Sequence, residues 1–164
     1  MSSNDNKSLE DRLRDLEDKF AIQQLVCGYG YAMDGCNAEA VGSLYAEDGE
    51  YWISDTRGWE GREAIAGITR GEGHLGLVAA GVAHLSTLPY VVLDGDRAVA
   101  TCHTAVFSHR EDGFFIYRVS ASRLQFSRKA DGGWQIDHRQ NYLLQGDPAG
   151  SKLLGRLNEG PKAA

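Results

Sequence analysis

The apolar residues of this chain change their spacing once, and that change restricts the fold more than any other feature. From Leu9 through Leu13, Leu16, Phe20, Ile22, Val26, Tyr29 and Met33 they recur at helical spacing. From His84 onward they fall in strand-like runs separated by the turns Asp94-Gly95-Asp96, Glu111-Asp112-Gly113 and Asp131-Gly132-Gly133. Helices therefore precede an antiparallel meander. That order predicts an α+β domain with helices packed on one curved sheet.

The same signals bound the elements. One helix is expected from Leu9 to about Met33, weakened at Gly28 and Gly30 by about 1 kcal/mol each relative to Ala. Asn37 suits the cap of a second, shorter helix through Leu44 and Tyr45. Glu50 to Ser54 reads as a short strand, Asp55 to Gly58 as a turn, and Gly61 to Arg70 as a third helix. The glycine-rich stretch from Gly71 to Gly81 suits a short helical turn over an opening. Strands are expected over Leu88 to Leu93, Arg97 to Arg110, Phe114 to Ser127 and Trp134 to Leu143. A chain of 164 residues fits one domain over 9–145, after a disordered polar start at 1–8. The tail at 146–164 reads as a disordered end or an arm reaching a neighbour.

Bulk properties narrow the partners. A formal net charge of -6, with Lys and Arg scattered, gives no reason to expect nucleic acid or an anionic membrane. The polar stretch Met1 to Ser8 lacks the apolar core of a signal peptide, and no apolar run approaches the roughly 20 residues that span a bilayer. A cytoplasmic location is expected. Cys27, Cys36 and Cys102 lack zinc-like spacing to one another or to histidine and read as small hydrophobes. Neither a metal nor a cofactor is expected.

Asp34 and His84 are polar residues in apolar surroundings, and an imidazole oriented by a carboxylate is a general base near neutral pH. Each has an ordinary alternative: a helix-end aspartate facing water, or a buried histidine bonded to a carbonyl. The helical period sets Asp34 about 140° from Tyr29, so Tyr29 joins the pair only if the helix loosens near Gly30. Alternation places Val99, Thr101, His103, Ala105, Phe107 and His109 on one strand face. That face reads equally as a pocket wall or as an exposed interface. Arg139 and Asn141 sit opposite Trp134 and Ile136, and Arg139 is either a cavity cation or half of a surface ion pair. Tyr51 and Trp52 alternate, so at most one faces a pocket, while His74 and His138 read as surface residues.

Several motifs in order resemble one known group. They are Tyr29 and Asp34 at the end of the long helix, Tyr45-Ala46-Glu47-Asp48-Gly49, the helix start Gly61-Arg62-Glu63-Ala64-Ile65, Ala83-His84-Leu85 before a strand, and the closing stretch Asp131 to Arg139. Together, over Leu9 to Leu144, they resemble the SnoaL-like branch of the nuclear transport factor 2-like superfamily. Within it the pattern is similar to that of scytalone dehydratase, bile acid 7α-dehydratase and hexachlorocyclohexane dehydrochlorinase. The resemblance implies a cone-shaped α+β barrel, one curved and mostly antiparallel sheet enclosing a deep pocket, in a homo-oligomeric dimer or trimer. It also implies a cofactor-independent lyase, a dehydratase or related elimination enzyme, acting on a mostly apolar small-molecule substrate.

By the same resemblance Asp34 is the carboxylate of a His–Asp dyad, His84 its base, and Tyr29 a third catalytic group. Tyr51 would face the pocket, and Arg139 falls where the dehydrochlorinase has a pocket arginine. His109 matches a second pocket histidine of scytalone dehydratase, whose serine and asparagine are replaced here by Ala121 and Arg123. His103, Phe107, Arg123 and Asn141 complete the expected substrate-binding set. Related barrels offer three alternatives: an isomerase or polyketide cyclase with Asp34 as base, an epoxide hydrolase, or a non-catalytic ligand-binding domain.

Overall fold

The structure, a computed structural model, describes residues 7–161. Helix α1 spans Leu9–Asp34. Ser8 caps it by accepting from the Asp11 backbone N–H, and Glu10 and Asp11 place negative charge at the positive end of the helix dipole. Its second half buries Ile22, Val26, Tyr29 and Met33 against the sheet, whereas Leu9, Leu13, Leu16 and Phe20 remain exposed. Asn37 accepts from the Ala40 N–H and starts the short helix α2 (Ala38–Ser43).

The remaining elements are β1 (Tyr45–Ile53), β2 (Arg57–Glu60), α3 (Arg62–Gly67), α4 (Glu72–Ala80), β3 (Val82–Ser86) and β4 (Tyr90–Asp94), then β5 (Arg97–Arg110), β6 (Gly113–Arg128), β7 (Trp134–Leu143) and α5 (Pro148–Gly155). The sheet runs β2-β1-β7-β6-β5-β3, with β4 also paired to β5. Every pairing is antiparallel except β1 with β7. The expected α+β architecture is present, with N-terminal helices on one curved sheet, but the sheet is open rather than a closed barrel.

Several boundaries differ from the sequence expectation. Tyr45 opens β1 instead of ending α2. The segment expected to turn at Arg57 continues as β2, where Gly58 leaves room for the Trp52 ring: a Cβ there would lie 2.4 Å from it. The single strand expected over Leu88 to Leu93 gives way to β3 and β4, which pair with opposite halves of β5 and are separated around Pro89. Proline has no N–H for a ladder bond. Residues 1–6 and 162–164, part of the expected disordered start and tail, lie outside the described residues. Most of the tail is neither loose nor extended from the domain: Asp147 caps α5, which contacts β6 and β7.

A β-bulge changes which side chains point inward. On β7, Ile136 pairs with Phe126 and His138 with Gln125, so Asp137 is an extra residue. Trp134, Ile136, Arg139 and Asn141 all end up buried, correcting the expected opposition of the tryptophan and arginine faces. On β5 the inward face carries Ala98, Ala100 and Cys102, small enough for α1 to pack closely, with Val106 further along. His103 and His109, on the other parity, are exposed.

Candidate active site

The C-terminal end of α1 lies against β3, and glycine makes that approach possible. A Cβ on Gly30 would sit 2.3 Å from the His84 carbonyl oxygen, closer than real atoms come. With the backbones this near, Asp34 reaches His84 twice: one oxygen accepts from the His84 backbone N–H at 2.9 Å, the other meets Nδ1 at 2.5 Å. A carboxylate only accepts, so the ring nitrogen facing it carries the proton. Nε2 is left unprotonated in the neutral ring, with no hydrogen-bond partner among the described residues. Burial pushes the His84 pKa below its usual 6.5, and hydrogen bonding and charge from Asp34 only partly offset that effect. The imidazole is therefore neutral at pH 7.

His84 opens onto a cavity of about 540 Å³ whose wall includes Tyr29, Tyr51, Trp59, His74 and Arg118. A narrow extension beneath it reaches Arg139 and Asn141. The floor is an aromatic–cation stack. The Arg139 guanidinium lies 4.2 Å from the centre of the Tyr29 ring and 4.8 Å from that of Tyr51, and Trp59 stacks on Tyr51 at 5.4 Å. Asn141 accepts from Arg139 Nε at 3.3 Å and donates to the Tyr51 hydroxyl at 3.1 Å, leaving the Tyr51 proton free to point elsewhere. Tyr29 is buried, its pKa raised chiefly by desolvation, so its hydroxyl stays a proton donor. The Tyr45 hydroxyl behind it is buried without a hydrogen-bond partner among the described residues, and burial lifts its pKa to about 12.

The structure thus brings Asp34 and His84 into contact and places Tyr29, Tyr51, Arg139 and Asn141 around the adjoining cavity. Helix α1 is unbroken over Leu9–Asp34, and Asp34 bonds His84 while Tyr29 lines the cavity onto which the same histidine opens. His103, Phe107, His109 and Arg123 do not line this cavity. Alternation along β5 puts the first three on the opposite side of the sheet from Val106, and His109 packs on Phe114 there. Arg123 instead anchors the C-terminal segment, donating to the Thr101 hydroxyl and to the carbonyls of Arg156 and Glu159.

His74 and Arg118 are among the lining residues that the sequence pattern did not reveal. His74, expected at the surface, is buried on α4 and donates Nε2–H to the Met33 carbonyl at 2.8 Å. Arg118 lies two-residue steps back along β6 from Leu124 and Phe126, whose burial in the folded protein marks that face as the inner one. Among the described residues no group of three or more His, Cys, Asp and Glu is arranged to hold a metal ion, and no helix is long and apolar enough to cross a membrane.

Comparison with known proteins agrees with this geometry at the level of family. Residues 14–140 match the family described as the SnoaL-like domain, and the chain belongs to that family. An NTF2-like protein with a cystatin-like fold from Novosphingobium aromaticivorans is 40% identical, with 93% of this chain and 99% of that one covered and a TM-score of 0.87. A protein of unknown function from Mycobacterium tuberculosis shares 22% identity over 87% of this chain and 92% of its own, at a TM-score of 0.71. A hexachlorocyclohexane dehydrochlorinase from Novosphingobium barchaimii shares the fold at 15% identity and a TM-score of 0.67, covering 83% of this chain and 96% of its own. No curated protein matches the sequence.

Proposed function

We propose that this protein is a cofactor-independent acid–base lyase, a dehydratase or related elimination enzyme, acting on a mostly apolar organic small molecule. One observation carries the reading: a neutral histidine, fixed through Nδ1 by Asp34, presents its unprotonated Nε2 side to an aromatic-lined cavity. Nε2 of His84 removes a proton from a substrate carbon, and Asp34 stabilises the imidazolium that forms. The electron pair of that C–H bond becomes the new C=C bond as the leaving group departs from the neighbouring carbon. Tyr29 or Tyr51 donates a hydrogen bond to the developing oxyanion or the leaving oxygen, with Arg139 beneath both rings favouring negative charge there. A hydroxide leaving group departs as water by taking the proton that His84 removed, passed from the imidazolium directly or through Tyr29 or Tyr51, so the enzyme ends with its protons restored.

Asp34 as the base, which an isomerase, cyclase or epoxide hydrolase mechanism would require, is less well supported, since both carboxylate oxygens are engaged by His84. The deciding experiment is a turnover assay of His84→Ala against a panel of β-hydroxy and β-halo carbonyl compounds on which the wild type is active. Loss of about 10²–10⁴-fold in kcat with an unchanged far-ultraviolet spectrum is expected. Near-normal activity in the variant would sink the assignment.

A further inference from the structure

The cavity's charge carries information about its ligand that the dyad alone does not. The protein has a formal net charge of -6, yet among the described residues no aspartate or glutamate lines the cavity or its extension, whereas Arg57, Arg118 and Arg139 do. Two of these arginines are accounted for by their contacts. Arg139 lies beneath Tyr29 and Tyr51, and Arg57 sits at the rim over Trp59. The inward-facing Arg118 has no ion pair or hydrogen bond among the described residues. Elsewhere Arg128 is held by Asp18 and Asp96, and Arg123 by main-chain carbonyls. The strand register fixes where Arg118 stands: His84 is opposite Val106 on β5, and Val106 is opposite Arg118 on β6. Two strand spacings separate histidine and arginine at their Cα atoms, about 10 Å, with the cavity over both.

Resting on the lyase reading of the same site, we infer that the substrate carries a carboxylate and that Arg118 binds it. A half-buried cation without a counter-charge is poorly solvated, and an anionic ligand relieves that cost. The planar guanidinium meets both oxygens of a carboxylate at once. The remaining wall, Tyr29, Tyr51, Trp59 and Ile68, suits an aromatic or alicyclic body. Of the three arginines only Arg118 is both inward-facing and uncommitted, and one such guanidinium matches a single negative charge better than a phosphate's two. Arg118 is thus a substrate-binding residue that selects for charge, while His84 performs the proton transfer.

Binding of 2-naphthoate, 2-naphthamide and 2-naphthyl phosphate to the full-length protein, followed by titration calorimetry, tests this without requiring turnover. The wild type is expected to favour the carboxylate over the amide by roughly 10- to 100-fold, a charge-assisted hydrogen bond's worth. Arg118→Gln should reduce that ratio to about 1 and Arg118→Lys should retain part of it, with His84→Ala keeping the full preference. Equal wild-type affinity for the carboxylate and the amide would overturn the inference, as would tighter binding of the phosphate. An unaltered preference in a folded Arg118→Gln protein would also overturn it. Each of these failures leaves the His84 turnover test standing, and failure of that test leaves the binding ratios meaningful.

Discussion

At the scale of single residues, the chemistry depends on how Asp34 divides its two oxygens between the ring and the backbone of His84. Asp34→Asn keeps the shape but turns one oxygen into a donor that cannot accept the Nδ1 proton. We expect kcat to fall by about 10²–10⁴-fold with little change in melting temperature, measured by steady-state kinetics and thermal denaturation. The lowered pKa of His84 sets the pH profile. Because the base works unprotonated, kcat/KM should be flat through neutrality and fall on the acid side through a pKa below 6.5. The same shift links pH to stability. The unfolded histidine takes up its proton first as pH drops, so this group's contribution is complete above 6.5 and is lost as pH falls through the folded value. An acid limb centred above 6.5 would contradict the assignment.

At the scale of elements, two devices hold α1 on the sheet. Near its middle, Asp18 accepts from both terminal nitrogens of Arg128 at 2.9 and 2.7 Å and from the Trp134 indole at 2.9 Å, with Arg128 stacked on the Trp134 ring. Removing the carboxylate leaves two buried donors unpaired. Asp18→Ala should lower unfolding free energy by about 2–3 kcal/mol in a urea titration. Near its end, Gly30 lets α1 rest on the His84 carbonyl. Gly30→Ala gains about 1 kcal/mol of helix propensity, yet forces α1 from β3 and costs more than it gains, about 1–3 kcal/mol. It should therefore lower both the melting temperature and turnover, because the same shift separates Asp34 from His84. The Asn37 cap, the long helix and the strand β5 were all legible from side-chain order, since each depends on contacts close in sequence. The split of β3 from β4 was not, because which half of β5 each one joins depends on pairing across the chain.

At the scale of the whole molecule, Leu9, Leu13, Leu16 and Phe20 form a stripe on α1 beyond the reach of the sheet, each more than half exposed. Such a stripe is unusual on a monomer's surface. Sedimentation should report a dimer or trimer of the 17.9 kDa chain, and Leu13→Glu with Phe20→Glu should shift it toward the monomer; a wild-type monomer at micromolar concentration would refute the expectation. The order of helices and strands and the motifs around Asp34 and His84 were readable from the chain alone. They follow from local periodicity and from residue types that few folds require together. Only the tertiary structure decided which arginine faces the cavity. Arg123 and Arg118 differ by an odd number of positions on one strand, so the pleat sends them to opposite sides, and only the packing of α1 on one of those sides tells which is inside. The bulge at Asp137 did the same for Arg139 and Asn141: one extra residue, with no clear mark in the sequence, reverses the face of everything after it.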